Sequence, residues 1–150
     1  RAGERDALPD LQGPAAAELP SQRFPYILNT GRELYHWHGG TITRRARVLL
    51  ERSPELHIAV HPEDAAAERL ADGDEVVVSS RRGEVRGRAL LTDAVRRGEI
   101  FVPFVKLNES AANFVTNAAF DPASKIPEFK VCAVRIDKPG AERPQRRRKR

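Results

Sequence analysis

The stretch Thr30-Gly31-Arg32-Glu33-Leu34-Tyr35-His36-Trp37-His38-Gly39-Gly40-Thr41 is the densest chemistry in the chain. It combines a glycine turn, an arginine, two histidines, the only tryptophan and a hydroxyl. Each suits a polyanionic ligand that carries an aromatic ring. Backbone N–H groups at Gly31 can approach phosphate oxygens closely. The planar fork of Arg32 can chelate phosphate or a carbonyl edge. Trp37 and the imidazoles can stack on a ring system or hydrogen-bond to it. His36 and His38 lie two apart, so on a strand they would share a face and could bind a metal. Two histidines without a third ligand are a weak metal signal, and no metal site is assigned. Trp37 taken alone reads as a core residue; the density of the stretch, not any single member, carries the case.

A second cluster comes late: Phe104, Asn113, Thr116, Asn117, Asp121, Ser124, Lys125 and Lys130. The Asn113 amide can read a base edge with donor and acceptor together. Lys130 can reach a carbonyl or a phosphate. Loop solubility and a strand-end cation explain the same residues equally well at this level.

Other chemistries find no support. No G-x-S-x-G elbow occurs, and the single cysteine, Cys132, sits in the apolar run VCAV and reads as a buried, inert thiol. One cysteine excludes an intrachain disulfide and any four-cysteine iron–sulfur or zinc site within the chain. Neither a P-loop nor a G-x-G-x-x-G is present.

The elements that must position these clusters follow from the pattern. Phe24 to Asn29 reads as an opening strand, with Gly31 permitting a sharp turn after it. Thr41 to Glu51 predicts a short helix carrying Val48, Leu49 and Leu50. Glu55 to Val60 alternates as a strand. His61-Pro62-Glu63-Asp64 then starts a helix, with proline at its first position and acids at its positive end. Asp72-Gly73-Asp74 turns the chain. Glu75 to Ser80 is a buried strand, Arg81-Arg82-Gly83 a turn, and Glu84 to Leu91 its hairpin partner. Ile100 to Val105 is a strand that Pro103 bends or interrupts. Lys130 to Ile136 closes the set. Six strands without βαβ alternation predict a mainly β fold, a small barrel with short helical connections. The long polar segment 106–129 reads as a binding loop.

The chain has 150 residues and a mass of 16.7 kDa, which fits one domain with tails. We divide it into residues 1–22, a linker or disordered N-terminal segment, residues 23–138, the domain, and residues 139–150, a disordered basic tail. No Met stands at residue 1, so the chain is expected to be a piece of a longer polypeptide. With 40% hydrophobic residues it can build a core, and no apolar run approaches the ~20 residues that span a bilayer. The net charge of +5 equals that of the tail, since residues 1–20 carry −2 and residues 21–138 carry +2. The tail could contact nucleic acid, but the body lacks a basic face with aromatics, so a solvated end or a contact to a partner subunit is preferred.

Three blocks, TGRELYHWHGGTITRR, HPEDAAAERLADGDEVVVSSRRGEV and IFVPFVKLNESAANFVTNAAFDPASKIPEFKVCAVRI, resemble the C-terminal molybdopterin-dinucleotide-binding domain of the molybdenum and tungsten oxidoreductases, the dimethyl sulfoxide reductase family. The resemblance covers residues 24–137. It is strongest to formate dehydrogenase catalytic (alpha) subunits, with nitrate reductases as close rivals. It implies a double-psi β-barrel. It implies that Thr30, Gly31, Arg32, His36, Trp37, His38, Thr41, Asn113 and Lys130 bind a molybdopterin guanine dinucleotide, present in such enzymes as two copies on one molybdenum or tungsten. Phe104 falls near a substrate-pocket aromatic of nitrate reductases. Many formate dehydrogenases carry a histidine after the Pro-Phe pair; Val105 stands here. The iron–sulfur cluster and the metal's own ligand would lie in the remaining domains or subunits of the parent oxidoreductase, so this chain alone is not expected to be catalytic. Formate versus nitrate, molybdenum versus tungsten, the electron acceptor and the compartment, with cytoplasm favoured over periplasm, are not read from these residues.

Overall fold

The computed structural model describes residues 17–107, 110–120, 125 and 131–140. Six strands, β1 (Tyr26–Gly31), β2 (His57–Val60), β3 (Glu75–Ser79), β4 (Glu84–Leu91), β5 (Glu99–Pro103) and β6 (Cys132–Asp137), close into a barrel. The order around it is β1-β5-β2-β4-β3-β6. Two strand pairs are parallel, β1 with β5 and β2 with β4; the other four are antiparallel. The mainly β expectation therefore holds, with two short helices in the connections.

Side chains alternate between the two faces of each strand, and the inward set fills the barrel. Leu28, Ile58, Val60, Val76, Val78, Ile100, Val102 and Val134 are fully buried. Each such side chain contributes about 1.5–3 kcal/mol on leaving water. The VVV run of β3 is buried throughout because Val77, on the outer face, is also covered.

Register decides which loops share an end. Gly31 lies opposite Pro103, and Leu28 opposite Cys132. Ser79 lies opposite Glu84, and His57 opposite Arg88. Consequently β1, β3 and β5 finish at one end of the barrel, and β2, β4 and β6 start there. The connections after β1, after β3 and after β5 all form that rim.

The opposite end is closed by α2 (Pro62–Ala67). His61 caps it, its Nδ1 accepting from the Glu63 N–H at 3.2 Å, and Pro62 occupies the first turn as predicted. Ala65 is buried beneath it, and Asp64 accepts from the Gly98 N–H at 2.6 Å. The Tyr26 hydroxyl donates to Glu68 Oε1 at 2.7 Å.

Three expectations are corrected. Gly31 serves no turn of its own: it ends β1 as a strand residue, and a Cβ there would lie 2.6 Å from Phe101 Cε2, so a larger residue would displace that ring. Thr41 to Glu51 is not one helix. A 3-10 turn at Thr43–Arg45 and α1 (Arg47–Arg52) are separated by Ala46 in an extended conformation, and no side chain caps α1. Nor does that helix face the core, since none of its residues is buried and Val48 is 69% exposed. Pro103 does not interrupt β5; it ends it, where a missing N–H costs no ladder bond.

Of the segment read as a linker, residues 1–16 lie outside the described residues, as do residues 141–150 of the tail.

Burial, the Glu68 hydrogen bond and the neighbouring Glu68 and Asp64 charges hold the Tyr26 phenol in its neutral form well above its ordinary range. A raised native value stabilises the fold below the unfolded phenol's value, about 10, and that stabilisation fades as pH climbs beyond it. Tyr26→Phe is expected to lower stability by about 1–2 kcal/mol at neutral pH, with the gap to wild type shrinking above about pH 10. Urea midpoints at the two pH values check this.

Candidate cofactor-binding rim

The loop leaving β1 is built around one buried histidine. His36 is 2% exposed and both ring nitrogens are engaged. Nε2 lies 3.0 Å from the Ser53 carbonyl oxygen, which can only accept, so Nε2 carries the proton. In the neutral imidazole Nδ1 is then the acceptor for the Thr43 hydroxyl, 3.2 Å away. The same Thr43 oxygen accepts from the Trp37 N–H at 3.1 Å. Glu33 sits alongside, its Oε1 3.8 Å from Nε2 and its Oε2 accepting from the Ser53 hydroxyl at 3.4 Å. These bonds tie residues 33–53 into one closed loop.

The exposed members of the cluster stand on that frame. The Arg32 guanidinium lies over the Trp37 ring at 5.0 Å, and the His38 ring meets the indole edge-on at 4.7 Å. Trp37 is 62% exposed, so its indole is open to a ligand. His38 adopts a positive φ of 50° and Gly40 one of 74°. Gly40 is doubly required, since a Cβ there would also lie 2.7 Å from Val105 Cγ2. Thr41 is exposed. Thr30 is buried, inside the rim rather than on it.

The segment after β5 joins this loop. The Phe104 N–H donates to the Gly31 carbonyl at 2.8 Å, and the Lys106 N–H to the Gly39 carbonyl at 3.2 Å. Arg44 donates to the Lys106 carbonyl at 3.1 Å. Phe104 itself is half-buried at the junction of the two segments.

Farther along, a 3-10 turn at Ala112–Phe114 presents Asn113 to solvent while Ala112 and Val115 anchor it in the core. The Thr116 hydroxyl donates to the Asn113 carbonyl at 3.3 Å. The Asn117 N–H reaches Cys132 Sγ at 2.9 Å, which ties the turn to the start of β6. Cys132 is fully buried, as its sequence context implied.

The early glycine-rich loop and the Asn113 turn therefore occupy the same end of the barrel. Lys130 lies outside the described residues, as do Asp121 and Ser124. The two histidines do not form a metal pair: His36 spends both nitrogens on the loop, and His38 faces the indole. Among the described residues no group of three metal-ligating side chains occurs.

Residues 26–133 match the family described as "Molydopterin dinucleotide binding domain". The chain belongs to this molybdopterin-dinucleotide-binding family. It is 45% identical over 122 residues to the F420-dependent formate dehydrogenase subunit alpha of Methanocaldococcus jannaschii, covering 81% of this chain and 18% of that protein. It is 42% identical over 121 residues to the F420-dependent formate dehydrogenase 1 subunit alpha of Methanococcus maripaludis, again covering 81% of this chain and 18% of the relative. The chain thus spans under a fifth of the length of these relatives. The fold is shared with acetylene hydratase from Pelobacter acetylenicus, at a TM-score of 0.65 and 17% identity, covering 77% of this chain and 18% of that one.

The molybdopterin-binding domain thus divides its rim residues in two. Thr30 and His36 are buried, and His36 builds the loop; Arg32, Trp37, His38, Thr41 and Asn113 are exposed. Sequence reading missed Thr43 and Ser53, and gave Glu33 no role although it lies within the cluster; their hydroxyls and carboxylate hold the loop. The E-x-x-H spacing of Glu33 and His36 was a signal for one of them.

His36→Ala leaves the Ser53 carbonyl without its imidazole donor and Thr43 without its acceptor. It is expected to cost about 2–3 kcal/mol and to open residues 33–53 to proteolysis before the rest of the barrel. Denaturant unfolding and limited digestion check both.

Proposed function

We infer that this domain binds a molybdopterin guanine dinucleotide at the rim and positions it within a formate dehydrogenase catalytic subunit. One observation carries the reading: the strand register gathers the Arg32–Trp37 loop and the Asn113 turn at one end of the barrel. The donor set fits such a group. An exposed guanidinium suits pyrophosphate oxygens or ring carbonyls, an open indole offers a stacking face, and an exposed amide can both donate to and accept from a guanine edge. Lys130 adds a second cation in this reading.

The chain's own residues would bind, orient and shield. Arg32 neutralises phosphate charge. Trp37 and His38 cover a ring face and exclude water from it. Asn113 sets which base is accepted, because a purine lacking the matching donor and acceptor leaves the amide unpaired. When bound, the group carries the metal, molybdenum or tungsten, at which formate is oxidised to CO2. Such hydrogen bonding around a cofactor also tunes its electronics. Phe104, beside Gly31, is the residue proposed to face the substrate.

The similarity to two formate dehydrogenase alpha subunits, at 45% and 42% identity, favours formate over nitrate as the parent substrate. The remaining domains of that subunit would supply the redox centres. No helix among the described residues is long and apolar enough to cross a membrane.

The test uses the full catalytic subunit that carries this chain. Guanine nucleotide retained per subunit after dialysis is measured for wild type, Arg32→Ala and Asn113→Ala. Each substitution is expected to weaken retention about tenfold, the loss of one charge-assisted or paired amide contact. Equal retention by all three would overturn the assignment.

A further inference from the structure

Glu18 is an outlier in its surroundings. It is 8% exposed, whereas the adjacent Leu19 is 62% exposed. It precedes residues 26–133, the part that matches the family, and the function proposed above does not use it. Its two carboxylate oxygens are taken by two different arginines of the turn between β3 and β4, Arg81 on Oε1 and Arg82 on Oε2.

Each arginine has a second engagement. The Arg81 guanidinium lies over the Phe24 ring at 5.0 Å, and Phe24 is buried at 3% exposure. Phe24 is pinned in turn by paired backbone hydrogen bonds with Ser21, at 2.9 and 3.0 Å. Arg82 reaches the other way: its Nη2 and Nε donate to the Val115 carbonyl at 3.2 and 3.4 Å. Val115 closes the 3-10 turn that presents Asn113. The same turn is pressed on Gly83, where a Cβ would lie 2.6 Å from the Phe114 carbonyl oxygen.

The chain of contacts is therefore Glu18 to Arg82 to Val115 to the Asn113 turn. We propose that Glu18 is a positioning residue for cofactor binding, aiming Arg82 at the Val115 carbonyl and so holding Asn113 at the rim. The inference rests on the reading of Asn113 as a cofactor contact. A buried carboxylate between two guanidiniums offsets the repulsion between them and fixes their geometry, leaving the triad with one net positive charge. Without that charge, Arg81 and Arg82 repel each other, Arg82 turns to solvent, and the Val115 carbonyl is released. The segment that leads into the barrel thereby sets the aim of a residue nearly a hundred positions later.

A double-mutant cycle separates positioning from plain stabilisation. Guanine nucleotide retention is measured on the full catalytic subunit for wild type, Glu18→Gln, Glu18→Asp, Asn113→Ala and Glu18→Gln/Asn113→Ala, with Arg82→Lys as a second probe of the same link. Glu18→Gln is expected to weaken retention about fivefold or more, Glu18→Asp to restore part of it, and the double variant to be no worse than Asn113→Ala alone. Arg82→Lys keeps the charge but loses the fork on Val115, and is expected to behave like Glu18→Gln; it decides the matter should Glu18→Gln fail to fold. Wild-type retention in Glu18→Gln, or losses that add in the double variant, would overturn the proposal. Unchanged retention in Asn113→Ala would instead sink the reading of the rim.

Discussion

Parallel pairing of β1 with β5 is the constraint on which the rest of the molecule depends. Because Gly31 stands opposite Pro103, the chain leaves both strands at the same end. A one-residue slip would turn Leu28 and Thr30 outward and empty the barrel of half of one wall. Gly31, lacking a Cβ, leaves room at that point for the Phe101 ring to lie across the strand. A hydrophobic requirement in the barrel wall thus decides which polar loops meet at its mouth.

The rim then works by separating structural from exposed polar groups. His36, Thr43 and Ser53 form a bonded frame under the loop, with the Ser53 carbonyl placing a proton on His36 Nε2. Arg32, Trp37 and His38 sit on that frame facing outward. Such a division suits a cofactor-binding surface, since side chains that meet a ligand need supports that do not. The far end is sealed by α2 and the Tyr26–Glu68 bond.

Much of this is legible in the sequence, and what is not has physical causes. Strands β3 and β4 were plain because a valine run, an Arg-Arg-Gly turn and a pairing partner follow each other locally. The helix at Pro62 was plain because proline and two acids mark its start. Gly31 was misread because glycine signals a turn by default, whereas its reason here is a ring arriving from seventy residues away. The expected Thr41–Glu51 helix is shorter in the fold because the backbone is extended at Ala46 and Val48 and Ile42 remain exposed, with no core packing to prolong it. His36 stands out by type and neighbourhood as a ligand contact, but in the fold it is buried and bonded to the Ser53 carbonyl, a partner that leaves no mark in composition or spacing. Nothing in the sequence marks Glu18 either, because its arginines lie 63 and 64 positions later.

The central claim is that one dinucleotide lies against both the early loop and the Asn113 turn. The structure of the catalytic subunit with its cofactor in place tests this most directly. The account predicts guanine-dinucleotide density on the rim, within hydrogen-bonding reach of Arg32 and of Asn113. Density confined to one of the two segments, or lodged beside α2 at the opposite end, would contradict it.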